Sequence, residues 1–353
     1  MRVNKVGEFY MNSKEIAKLA GVSRSTVSRV VNNYSNVPEA TRNRVLEVIK
    51  KYKYVPHASA RVLAGLGSNI IGLFMVDKKN DTRGKKVSMS SYFLPFISGV
   101  IDSANKNNYH VLVSAVACAD DYNRVQEVFY NKTISGGIFI GEQNDPEIEE
   151  FMKDGYKIVS IDNGMIQNRR PENGIIINAD NFNGAYQATK YLISLGHTKI
   201  AHITGYAGQF STVERLGGYQ KALADSGINL DSALIGKGNY LRGGGYAATK
   251  KLLEESNPTA IFYANDSMAV GGMRAIFEKG MKVPDDISVV GFDDIEIASF
   301  LQPTLTTVRL PMETMSANAV NSLIHLMRSD TPYYASYVIP VNLILRQSCT
   351  AKK

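Results

Sequence analysis

From residue 70 onward the chain alternates between short apolar runs and stretches of helical periodicity, and that alternation constrains the fold more than any other feature. Strand-like runs are Ile70–Val76, Val111–Val116, Gly137–Ile140 and Ile158–Ile161, with helical stretches near 94–107, 121–131 and 145–153. A second series follows, with strands Ile175–Ile177, Ile200–Thr204, Ala260–Tyr263 and Ser288–Gly291 and helices near 182–195, 213–226, 244–255 and 267–279. Short runs without polar alternation suit parallel strands covered on both faces. Repeated strand–helix–strand units lead to doubly wound α/β sheets. Two series of similar size predict two such subdomains. Beyond Gly291 remain a strand (Leu305–Arg309), a helix (about 312–327) and a strand (Val338–Leu345), which are expected to be shared between the halves. The expected boundaries are 70–162 with 300–330 for the first subdomain and 174–295 with 333–350 for the second. Chain crossings are then expected near 163–173, 293–304 and 329–337. A ligand would sit between the halves, at the carboxyl ends of the strands.

The first 69 residues follow another pattern. Residues 1–11 lack periodicity and are expected to be a disordered arm. Residues 12–55 predict three short helices. Asn12 with Glu15 three positions on is a capping-box signal, and Ile16, Leu19 and Ala20 form an apolar face. Gly21-Val22 ends that helix. Ser23 can cap the next, which carries Val27, Val30 and Val31 on one side before Asn32-Asn33. A third opens with Pro38 and carries Val45, Val48, Ile49 and Tyr52. The connector, 56–69, contains His57–Ala64, too short to be a stable helix alone and expected to order only against a partner.

Charge divides the chain in the same place. Residues 1–66 carry 12 Lys/Arg against 4 acids, a net charge of +8, which leaves the remainder near −1. A basic head on a neutral body suits phosphate binding. Within the head, Ser13 to Asn32 has a helix-turn-helix arrangement. Ala17 is small where two helices cross, Gly21 permits the turn, and Val22 and Val27 plug the angle between them. Arg24, Ser25, Ser28 and Arg29 then lie on the outer face near the start of the second helix, the part that meets base edges. Arginine can hold guanine through two donors. Ser23, Thr26, Ser28 and Asn32 are short donors suited to phosphate.

Other function classes find little support. No apolar run approaches the roughly 18 residues of a membrane span, and the N-terminus lacks the apolar core of a secretion signal. The two cysteines, Cys118 and Cys349, suggest no disulfide framework and fit a reducing cytoplasm. The five histidines are scattered, and no Cys/His cluster has zinc spacing. No catalytic grouping is visible, so no enzyme activity, metal or cofactor is expected.

The run AKLAGVSRSTVSRVVN, the later RNRVLEVIKKYKYVP and the connector ASARVLAG resemble the head and hinge of lactose-repressor (LacI/GalR) family regulators. The likeness continues in order through YLISLGHTKIAHITG, RLGGYQKAL, ANDSMAVGGMRAI, VPDDISVVGFDDI and LTTVRLP, about residues 12–350. It implies a helix-turn-helix headpiece joined to two subdomains of periplasmic-binding-protein type. It also implies a cytoplasmic transcription regulator, most often a repressor, at the nucleoid when bound to its operator. Arg24 and Ser25 match positions that vary with operator sequence, and Arg29 a third base-reading position. Leu63 matches a hinge leucine that wedges into the minor groove, and His57 and Ala60 complete the implied DNA-binding set. The implied partners are a near-palindromic duplex, a second copy of the chain (homodimer or tetramer) and a small effector, with a sugar or sugar phosphate the first choice. Family-matched cleft positions are Asp162, Ser211, Arg215, Tyr240, Asn265 and Asp293, whose donors and acceptors suit a polyol. Phe93 is a candidate for stacking on ligand or for core packing. Asp266 and Asp294 are expected to cap the following helices, and the polar 77–92 segment is longer than in many relatives. Rival readings on related folds are a solute-binding transport protein, which would not need the basic head, and a sugar-modifying enzyme.

Overall fold

The computed structural model describes residues 11–31, 34, 36–52, 54, 68–77, 92–141, 146–164 and 174–352. Asn32, His57, Ala60, Leu63 and most of the 56–69 connector, as well as nearly all of the 77–92 segment, lie outside the described residues. The chain divides into a small N-terminal unit and a large unit that begins at Ile70.

Among its described residues the small unit holds three helices, α1 (Ser13–Ala20), α2 (Arg24–Val31) and α3 (Glu39–Lys51). The capping box is formed: the Asn12 side chain accepts from the Lys14 and Glu15 amides, and the Asn12 amide donates to Glu15 Oε2 at 2.8 Å. Gly21 ends α1 at φ 62°, a left-handed conformation that costs glycine little. Ile16, Ala17, Ala20, Val27, Val30, Val37, Val45 and Tyr54 form the buried core, with Val22, Val31, Val48 and Ile49 packed against it. Two expected core residues turn outward: Leu19 is 47% and Tyr52 38% exposed. Helical spacing defines a stripe wider than a bundle this small can cover. Ala17 and Ala20 fill the α1 face, and Tyr54, past the end of α3, takes the place expected of Tyr52.

The large unit contains two six-stranded sheets. The first is built from β1 (Ile70–Val76), β2 (His110–Val116), β3 (Gly137–Gly141), β4 (Ile158–Ile161), β5 (Gly174–Ala179) and β11 (Tyr334–Ile339), in the order β11-β5-β4-β3-β1-β2, all parallel. One face is covered by α4 (Phe93–Lys106) packed on α11 (Met312–Arg328). On the other, aromatic side chains of α5 (Ala119–Tyr130) and α6 (Pro146–Lys153) meet those of the strands, as in the chain of rings Phe74, Phe139, Phe151 and Phe129.

The second sheet comprises β6 (Ile200–Thr204), β7 (Ile235–Lys237), β8 (Ala260–Tyr263), β9 (Ser288–Asp293), β10 (Thr306–Arg309) and β12 (Asn342–Ile344), in the order β12-β10-β9-β8-β6-β7. Only the β10–β12 pair is antiparallel. The helix pair α7 (Asn181–Ser194) and α8 (Phe210–Ala224) packs together, as does the pair α9 (Arg242–Glu255) and α10 (Asp266–Glu278).

The division between halves differs from the sequence expectation at all three crossings. Strand 174–179 belongs to the first sheet, paired between β4 and β11, so the chain first crosses at Asp180 rather than at 163–173. Strand 306–309 belongs to the second sheet, and the return is at 310–311. The run expected as one strand, 338–345, is two: the chain leaves the first sheet at Ile339 and enters the second at Asn342. Apolar patterning marks a buried strand but not which sheet accepts its hydrogen bonds. Polar segments looked like linkers, whereas each real crossing is a few residues that carry the carboxyl end of one sheet into the other. Pro340, which lacks an amide to continue a ladder, marks the break.

Candidate functional site

Every strand of the second sheet that supplies a candidate residue supplies it from its carboxyl end. Asn265 follows β8, Asp293 ends β9, Tyr240 follows β7 and Ser211 lies in the first turn of α8, after β6. Asp162 follows β4 of the first sheet, and Phe93 opens α4. Phe93, Asp162, Ser211, Arg215, Tyr240, Asn265 and Asp293 all line one cavity of about 460 Å³ between the two sheets.

Arg215 is fixed from several sides. Its Nε donates to Asn181 Oδ1 at 2.8 Å, Nη1 donates to the Ala264 carbonyl, and the guanidinium lies 3.8 Å from the centre of the Phe292 ring. The same Nη1 is 3.5 Å from Asp293 Oδ1, and both side chains are 4% exposed. Among the described residues Asp293 Oδ1 has no hydrogen-bond partner. Burial pushes this carboxyl up to about 7, against the pull of Arg215 and with the help of the Asp162 charge. A buried acceptor facing a cavity leaves a full desolvation penalty unless something donates to it.

The backbone around the cavity is unusual. Asp162 (φ 60°), Tyr240 (φ 61°), Asp293 (φ 108°) and Asp294 (φ 57°) all lie in the left-handed region, which non-glycine residues occupy at a cost and which clusters at ligand clamps. The surroundings hold them there. Tyr240 Oη is 3.0 Å from Ser211 Oγ and 2.8 Å from Thr212 Oγ1. Asn265 accepts from the Met268 amide at 2.9 Å, capping α10, and donates to the Tyr240 carbonyl at 3.1 Å, so one side chain ties two cavity loops.

Asp266 and Asp294 do not cap helices, contrary to expectation. Asn265 holds the α10 cap. Asp266, fully buried, accepts from the Ile295 amide at 2.9 Å and the Thr307 hydroxyl at 2.6 Å, joining the loop after β9 to β10. Burial, with the neighbouring Asp293 charge, raises its carboxyl well above the usual range. Asp294 is clamped by Arg309 at 2.7 Å and Arg346 at 2.6 Å. The Asp293 carbonyl accepts from the amide of Leu310, a crossing residue. These partners come from far along the chain, and local spacing gives no sign of them.

Tyr92 carries no sequence signal of a site role, yet its Oη is 3.5 Å from Asp162 Oδ2 and its ring packs on Phe93 and Phe96. Asp77, Tyr206, Gln209, Asn239, Arg242 and Ser267, outside the expected set, complete much of the lining. Several of these could have been found from position alone, since they sit at strand carboxyl ends or in first helical turns. Phe93 is 6% exposed, packed in the core as expected, and it also lines the cavity.

In the small unit, Ser23 caps α2. Its Oγ accepts from the Thr26 amide at 3.1 Å and lies 2.7 Å from Ser25 Oγ and 2.8 Å from Thr26 Oγ1. Arg24, Ser25, Ser28 and Arg29 are exposed on one side of the helix, opposite buried Val27 and Val30. Among the described residues no cluster of His, Cys, Asp and Glu could hold a metal, and no helix is long and apolar enough to cross a membrane.

Comparison with known proteins adds to this geometry. Residues 13–57 match "Bacterial regulatory proteins, lacI family" and residues 189–349 "Periplasmic binding protein-like domain". The chain is 35% identical over 317 residues to the "Probable HTH-type transcriptional repressor ExuR" of Bacillus subtilis (strain 168), covering 89% of this chain and 91% of that one. It is 32% identical over 322 residues to the ribose operon repressor of Escherichia coli (strain K12), covering 90% and 93%. Among solved structures it is similar to the lac repressor dimer bound to operator and the anti-inducer ONPF, with a TM-score of 0.81, 28% identity and coverage of 97% and 100%. It is also similar to a CelR–cellobiose complex, with a TM-score of 0.72, 28% identity and coverage of 96% and 99%. Head, paired α/β subdomains and relatives of matching length agree: the chain belongs to the lacI family of bacterial regulatory proteins.

Proposed function

We propose that this transcriptional regulator reads a near-palindromic operator as a homodimer, through the exposed face of α2, and changes its operator affinity when a sugar or sugar phosphate fills the cavity between the two sheets. The observation that carries the reading is the buried Oδ1 of Asp293, which faces the fixed Arg215 at 3.5 Å but accepts no hydrogen bond among the described residues. A carboxylate that accepts from hydroxyls and a guanidinium that donates to their oxygens suit a polyol, and Tyr92, Phe93 and Tyr240 supply apolar faces for a sugar ring. The cellobiose-bound and operator-bound relatives support both halves of the reading.

The switch is a thermodynamic coupling. An effector that favours one arrangement of the subdomains changes operator affinity, and operator changes effector affinity by the same factor, typically about 5–150-fold. Repression is the expected outcome on DNA. Leu63, in the connector, is expected to wedge the operator centre. The test is fluorescence anisotropy of the full chain on a duplex from upstream of its own gene, with and without a panel of sugars and sugar phosphates. Specific binding that at least one compound shifts several-fold is expected. Equal binding to random duplex, or no shift with a compound that calorimetry shows to bind, would overturn the reading.

A further inference from the structure

We propose that Ser13, on the first helix, is a specificity-determining positioning residue: it holds Arg24 so that the free fork of the arginine reads a guanine in each operator half-site. This rests on the reading of α2 as the DNA-reading helix.

Ser13 Oγ accepts from Arg24 Nε at 2.9 Å, across 11 residues of sequence and between two helices. A guanidinium carries five donors in one plane. Using Nε leaves Nη1 and Nη2, which have no partner among the described residues, as a pair of parallel donors. That pair matches the O6 and N7 acceptors of guanine in the major groove.

The anchor is itself fixed. Ser13 is the first residue of α1, and the Asn12–Glu15 capping box holds the backbone on which it stands. An arginine loses considerable rotamer freedom when it docks. Tethering it beforehand lowers that loss for the correct base, and it also restricts the side chain's choice of other bases.

The neighbouring hydroxyls point to the same division of labour. Ser25 Oγ faces Ser23 Oγ at 2.7 Å, inside the hydroxyl cluster that caps α2. Ser25 is therefore engaged at the helix start, and discrimination at this end of α2 falls to Arg24. Arg24 also forms no ion pair among the described residues, so no carboxylate competes for the fork.

The test is a binding selection with the full chain and a pool of duplexes carrying an inverted repeat with randomised half-sites. Binding constants for the winner and its single-base variants are then measured at several salt concentrations. The parent chain should select G·C at one half-site position, with a loss of about tenfold or more for other pairs there. Arg24→Ala should lose that preference and keep the others. Ser13→Thr, which keeps the hydroxyl, should behave like the parent. Ser13→Val, the shape of the threonine variant without its hydroxyl, should lose several-fold of the preference at that position alone, with the salt slope unchanged. Adding Ser13→Val to Arg24→Ala should change nothing further. An undiminished preference in Ser13→Val, an equal loss at every position, or the same loss without Arg24 would overturn the proposal. A parent chain that enriches no sequence would instead overturn the DNA-reading function beneath it.

Discussion

Replacing Asp293 by asparagine keeps the shape of the cavity and removes a titration. In the folded chain burial pushes this carboxyl up to about 7, from an ordinary value of 3.8. The folded state therefore holds the proton more tightly than the unfolded state. Its contribution to stability is complete below pH 3.8, shrinks as pH rises, and is gone once pH passes the folded value near 7. Each pH unit in that window is worth about 1.4 kcal/mol. The full loss is ~4 kcal/mol, of which roughly 2–3 kcal/mol falls between pH 5 and pH 7. Asp266, raised by burial and by the Asp293 charge, acts in the same direction, so neutralising Asp293 flattens its share as well. Losing the 3.5 Å contact with Arg215 changes the absolute stability of the variant, so the diagnostic quantity is the slope. Urea unfolding of the effector-free chain from pH 5 to pH 8 should show the parent losing about 2–3 kcal/mol relative to Asp293→Asn, nearly all of it below pH 7. Parallel curves for the two proteins would refute the reasoning. The same variant should lose most of its affinity for the effector, since an amide cannot replace a carboxylate that accepts from two hydroxyls.

His202 gives the opposite sign. Its ring is buried between Tyr219 and Phe262, and burial pushes the imidazole down to about 4, so its contribution is present above pH 6.5 and is lost as pH falls towards 4. His202→Phe keeps the stacking, gives up one hydrogen bond to the Phe262 carbonyl worth about 1 kcal/mol, and should lose ~2–3 kcal/mol less than the parent between pH 7 and pH 4.5 by the same assay. Ile16→Ala removes a fully buried side chain from the small bundle and should cost ~2–5 kcal/mol there. Operator binding by anisotropy should fail while the calorimetric transition of the large unit stays in place. Asp294→Asn breaks the clamp to Arg309 and Arg346, which links the loop bearing Asp293 to the segments beside two crossings. Effector affinity by calorimetry should change only a few-fold, while the effect of the effector on operator affinity shrinks. An unchanged coupling factor would show that the clamp is only structural.

Periodicity made the elements of this chain legible, because a buried parallel strand and an amphipathic helix leave different spacings of apolar residues. Strands 70–76, 158–161, 200–204 and 260–263 fall where the apolar runs predict them. The allocation of strands to sheets was not legible, since the all-buried strand 174–179 would look the same in either half. The break at Pro340 was visible and carried the needed information. The capping box at Asn12 was readable because all its atoms lie within four residues, whereas Asp266 and Asp294 bond to partners that only the folded chain brings near. At the site, the resemblance singled out residues that the fold brings to one cavity. Tyr92 escaped notice because nothing in its spacing separates a tyrosine aimed at a carboxylate from one packed in a core.

The interleaving of the two sheets also sets a timetable for synthesis. The first sheet stays incomplete until the last part of the chain is made, because β11 pairs beside β5, and α11 packs beside α4 to complete the cover of one face. About 150 residues separate β5 from β11, so at roughly 5–20 residues per second the ribosome needs some ~8–30 s to deliver them. For that interval a parallel strand edge and an apolar sheet face stand unprotected on the nascent polypeptide. A premature stop between residues 311 and 339 would thus injure the half of the core that is translated first.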